Sequence, residues 1–101
     1  MKLKILSYEF DLIFEKGFAD NKSGNNIRGL LGHIDYSNHQ IKIDSGHPEE
    51  QGILLHEILH GVANYFSVDL SEKDVERLSE GLYCVLKQNG MLNDFPKGEN
   101  E

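Results

Sequence analysis

The chain predicts an α+β fold: a small antiparallel sheet packed on two main helices. Two patterns and the chain length carry that expectation. Apolar residues alternate through 3–14 and again through 30–43, as strands require. Through 48–66 and 71–89 they recur every three or four residues, as helices require. The 101 residues suffice for one modest core, so 1–95 is taken as a single domain. The polar residues 96–101 are expected to form a disordered tail.

The first strand region is MKLKILSYEFDLIF. Leu3 and Ile5 share one parity, and Tyr8, Phe10, Leu12 and Phe14 the other. The switch at Leu6–Ser7 predicts a bulge or two separate strands. Ser7, Glu9 and Asp11 interrupt the apolar run, and no small-residue cleavage site follows, so it is not read as a signal peptide. The stretch FADNKSGNNIRG is expected to be a mobile loop. Residues 30–43 then predict a hairpin. Leu31, His33 and Asp35 alternate with Gly32, Ile34 and Tyr36; Ser37–His39 turn the chain; Ile41 and Ile43 follow.

The first helix is expected to open at Pro48, which suits the first helical position, with Glu49 and Glu50 complementing the positive helix end. Leu55, Ile58, Leu59, Val62 and Phe66 mark its apolar face. The second helix opens at Ser71, with Asp74 in the capping-box position. Val75, Leu78, Leu82, Val85 and Leu86 make its apolar stripe, and Asn89–Gly90 ends it.

Charge and composition narrow the function classes. A formal charge of -7 and scattered lysines and arginines argue against nucleic-acid binding. No stretch is long and apolar enough to span a membrane. Cys84 is the only cysteine, so no intrachain disulfide forms, and a cytoplasmic location is expected. Cys84 itself is expected to be a small buried apolar residue.

Within the first helix, "LLHEILHG" (54–61) carries the chemistry. His56 and His60 are one turn apart on one side, so both imidazoles can meet one ion. Zinc accepts nitrogen at about 2.0–2.1 Å and suits that spacing. Glu57 lies about 100° around the helix from His56. It falls beside the metal and not on it, where it can take a proton from bound water. A catalytic zinc keeps three protein ligands and one open position, so a third ligand must come from elsewhere. Asp69, Glu72, Asp74, Glu76 and Glu80 are the candidates on or before the second helix. Glu72 lies nearest the apolar stripe among the glutamates and is the first choice. Glu76 is the second, Glu80 faces water, and Asp74 is better explained as a cap. Gly61, after His60, is tolerated in a helix interior where a neighbouring segment approaches closely, such as one delivering a ligand. His33 is expected on the surface, while His39 belongs to the turn and His47 to the helix entry, and neither of these has motif spacing. Tyr65 and Tyr83 are expected to pack in the core.

The order of a "QIKID" strand (40–44), "LLHEILH" and "SEKDVERLSEGLYCVLK" (71–87) resembles the small zincin metallopeptidases. It is most similar to the ImmA/IrrE-like group and to compact relatives often encoded by phages and mobile elements. That resemblance implies a minimal zincin in which an ExxxD/N-like segment, here Glu72 to Glu76, supplies the third zinc ligand. It favours Glu72 as ligand and puts Glu76 where the family tends to carry Asp or Asn. It also implies peptide-bond hydrolysis with Glu57 as general base, a protein or peptide substrate, and an extended substrate pairing with the edge of residues 40–44. Two other readings stand beside it. One is a zinc-stabilised protein-interaction module without protease activity; the other is a metal-free helical adaptor.

Overall fold

The computed structural model describes residues 1–17, 31–45 and 47–98. The expected mobile loop lies outside these residues, as does the end of the expected tail, 99–101. The chain is α+β. Four strands, β1 (Lys2–Ile5), β2 (Tyr8–Phe14), β3 (Gly32–Asp35) and β4 (Gln40–Ile43), precede two helices, α1 (Glu50–Phe66) and α2 (Glu72–Gln88).

The parity switch in the first segment separates two strands. Leu6 adopts φ 59° at the turn, and β1 and β2 pair antiparallel with Leu3 opposite Phe10. The second hairpin forms as expected, with His33 opposite Lys42. Its turn is built by Asp35, whose carboxylate accepts the N–H groups of Ser37 and Asn38 at 2.9 and 3.1 Å.

The sheet order is β1-β2-β4-β3, and β2 and β4 run parallel. The expected antiparallel sheet is therefore mixed. The apolar pattern explains why β4 lies inside. Ile41 and Ile43 are fully buried, and pairing Leu12 with Ile41 and Phe14 with Ile43 gathers the most apolar residues at the sheet centre. This overturns the expectation that a substrate pairs with residues 40–44. Both sides of β4 are occupied by β2 and β3, so among the described residues β1 and β3 form the sheet edges.

Ile5, Phe10, Leu12, Ile41, Ile43 and Leu54 form the core beneath α1. Helix α1 packs on the sheet, and α2 packs chiefly on α1. The α2 stripe expected to be core is consequently split. Val75 is buried, but Leu78, Leu82 and Val85 are 48%, 42% and 52% exposed. A helix resting on one other helix buries a narrower strip than one wedged against a sheet as well. Cys84 is exposed, against expectation, because it lies on the face of α2 turned away from α1.

Helix α1 starts two residues after Pro48, with its first bond from the Ile53 N–H to the Glu49 carbonyl at 3.0 Å. His47 occupies the entry: its Nδ1 accepts the Glu49 N–H at 3.1 Å. Helix α2 has the expected ends. The Asp74 N–H donates to Ser71 Oγ at 3.0 Å, and the Ser71 N–H to Asp74 Oδ2 at 3.2 Å. Gly90, at φ 68°, closes the C-terminus, with Gly90 N–H on Lys87 O and Met91 N–H on Leu86 O. In the tail, Gly98 is buried and its N–H donates to Glu50 Oε1. Among the described residues no helix is long and apolar enough to cross a membrane.

Candidate metal centre

Helix α1 brings His56 and His60 to one side, and their Nε2 atoms lie 3.2 Å apart. The capping box on Ser71 sets the first turn of α2, so Glu72 enters the helix facing α1. Its Oε2 lies 3.0 Å from His56 Nε2, and its Oε1 lies 2.9 Å from His60 Nε2. These residues form a group of possible metal donors, all their ligand atoms within 4.8 Å of one another.

Donor chemistry tests whether a cation fits. Two ligands bonded at the zinc–nitrogen distance and separated by a tetrahedral angle stand about 3.3 Å apart. The observed separations fall slightly inside that value, so only a small outward adjustment is needed to admit the ion. Two imidazole nitrogens aimed at each other and at one carboxylate are well suited to sharing a cation. Burial holds the His56 pKa below its ordinary value, against the opposing pull of Glu72. A neutral imidazole is the form that binds metal. His56 is buried, His60 is partly covered, and the Glu72 side chain is 62% exposed, so the site opens on the α2 side.

Glu76 is not a member of the donor group. It remains close enough for its charge to raise the His56 pKa, acting against burial. Glu80 is exposed, and Asp74 serves the cap, as expected.

Glu57 is 5% exposed. Burial, and secondarily the Glu72 charge, push its pKa up to about 8. It lies under β3 at Gly32, where a Cβ would stand 2.7 Å from Ile53 Cγ2 and 3.0 Å from Glu57 Oε2. The close approach expected at Gly61 is present, but the neighbour is the sheet. A Cβ there would stand 2.6 Å from Ile5 Cδ1 and 3.3 Å from Ile34 Cδ1. The glycine admits the sheet, because α1 rests on it there, and not a ligand-bearing segment.

Beside His56 and Glu57 is a cavity of about 70 Å³ between the first half of α1 and the middle of α2. His47, Gly52 and Tyr83 line it, and none of the three was singled out for this role from sequence. Gly52 carried a usable signal, a glycine inside a helix. A Cβ there would lie 3.3 Å from the Tyr83 ring. Tyr83 thus lines the cavity, whereas Tyr65 stacks on Tyr8 with ring centroids 4.3 Å apart. His33 and His39 are exposed.

Comparison with protein-family models, curated proteins and solved structures gave no match.

Proposed function

We propose that this chain is a zinc-dependent peptide hydrolase of the small-zincin kind. The observation that carries the proposal is the triangle of His56, His60 and Glu72 donor atoms next to the buried carboxyl of Glu57. His56, His60 and Glu72 would hold zinc, which would supply Lewis acidity and lower the pKa of water toward neutrality. The chain's own residues do the rest. Glu57 takes a proton at a carboxylate oxygen and returns it to the leaving amine. Glu57 is a neighbour of the donors and not one of them, which is what a base requires and a closed structural site does not. Among the described residues no strand pairs with the outer edge of β3, which offers main-chain groups to an extended peptide next to Glu57. A cytoplasmic setting suits the exposed thiol of Cys84.

The test compares the zinc-loaded parent with Glu57→Gln on a mixture of peptides from a proteome digest, read by mass spectrometry. Both should hold one zinc per chain. Cleavage should fall about 10²–10⁴-fold in the variant. Absence of cleavage by the parent, or equal cleavage by both, overturns the hydrolase reading.

One observation favours the second reading, a zinc-stabilised interaction module. Leu78, Leu82 and Val85 leave an apolar strip of α2 exposed, as a partner-binding face would. Under that reading, Glu57→Gln leaves the biological effect unchanged.

A further inference from the structure

The cavity beside the metal centre has a composition that points to its occupant. It lies on one face of α1, where Gly52, Ile53, His56 and Glu57 and the preceding Glu49 follow helical spacing. Tyr83 of α2 forms the opposite wall, and Gly52 leaves room in front of its ring. His56 and Glu57 are shared between this cavity and the reacting centre, so a group in the cavity is attached close to whatever reacts there.

Its volume of about 70 Å³ holds roughly five water-sized groups, the size of one long side chain. Ile53, Leu31 and the Tyr83 ring give apolar walls for an aliphatic stem. Two exposed carboxylates, Glu49 and Glu80, stand among the lining residues. No lysine or arginine lines the cavity among the described residues. The amino end of α1 is nearby and would by itself favour an anion. Glu49 and Glu50 occupy that end and offset it. Apolar walls, an aromatic face and acidic groups together select a cation on an aliphatic stem.

The geometry points to a pocket for a lysine or arginine side chain of the substrate, next to the bond to be cleaved. This assignment rests on the hydrolase reading for its meaning, but binding alone can test it.

The experiment titrates zinc-loaded Glu57→Gln protein, which retains bound peptide, with acetylated alanine-based peptide amides carrying one guest residue: Lys, Arg, Leu or Glu. Affinity and amide shifts are read by NMR. The Lys and Arg peptides should bind at least tenfold more tightly than the Leu and Glu peptides and should shift Gly52 and Tyr83. Reversing charge at both Glu49→Lys and Glu80→Lys should abolish that preference with zinc content unchanged. If the doubly reversed protein does not fold, the guest comparison in the starting protein decides. Equal or better binding of the Leu or Glu peptides overturns the assignment, as does a preference that survives charge reversal. Cation-selective binding without cleavage by the parent removes the hydrolase reading and leaves the pocket standing. Cleavage with no cation preference removes the pocket alone, and no binding by any peptide removes the pocket whatever the cleavage result.

Discussion

Gly32 of β3 and Glu57 of α1 occupy space that a larger residue at position 32 would contest. A Cβ on Gly32 would stand 3.0 Å from Glu57 Oε2 and 2.7 Å from Ile53 Cγ2. Gly32 has no positive φ, so the demand at this position is for space and not for backbone freedom.

Gly32→Ala should therefore act by crowding. Ile53 is β-branched and cannot swing away freely, so the variant should lose about 1–3 kcal/mol in denaturant unfolding. Glu57 should be displaced, and cleavage should fall with zinc content unchanged. A variant as stable and active as the parent would show that the contact yields without consequence.

Zinc content should depend on His56, His60 and Glu72 and not on Glu76. His56→Ala and His60→Ala should lose most of the metal, and Glu72→Ala should lose it largely. Glu76→Ala should retain it, since Glu76 lies outside the donor group. Elemental analysis of each purified variant reads this directly. Metal loss in Glu76→Ala with retention in Glu72→Ala would reverse the assignment.

Chelation should lower the melting temperature. The donors lie on both helices, and α2 packs chiefly on α1, so the ion would tie α2 to the rest of the molecule. Free zinc at 100 times its Kd adds about 2.7 kcal/mol. For a domain of this size that is a shift of about 10 °C or more. Identical melting curves with and without chelator would mean that no metal is coupled to the fold.

Metal-free protein should show a pH signature of Glu57. Its carboxyl has an ordinary pKa of 4.5 and is pushed up to about 8 by burial in the folded chain. Stability from this group is then fully present below pH 4.5 and is lost as pH rises toward 8, at up to about 1.4 kcal/mol per pH unit. Glu57→Gln has no such titration. In chelator, the variant should gain stability over the parent steadily across that window, followed by thermal melts at fixed ionic strength. A constant difference between the two proteins would show that Glu57 is not held protonated by burial.

Much of the molecule was legible in the chain because it depends on neighbours in sequence. The Ser71–Asp74 box, the Asn89–Gly90 ending, the Ser37–His39 turn and the one-turn spacing of His56 and His60 each involve a few adjacent residues. Helical phase alone also made Glu72 the best-placed glutamate, and the structure brings it to both histidines. Cys84 was misjudged because its residue type is often buried, while its helical phase puts it on the outer face of α2.

The sequence by itself determined the strands, the helices, the ends of α2 and the side of α1 that presents two imidazoles, because backbone hydrogen bonding and side-chain period are local. Only the tertiary structure decided that β4 lies between β2 and β3, that Leu78, Leu82 and Val85 of the α2 stripe stay exposed, and that Gly32 sits over Glu57. It alone placed Gly52 opposite Tyr83 to open a cavity beside the donor atoms. Each of these joins residues far apart in the chain, and which partners meet is settled by competition for burial across the whole molecule, which no short window of sequence contains.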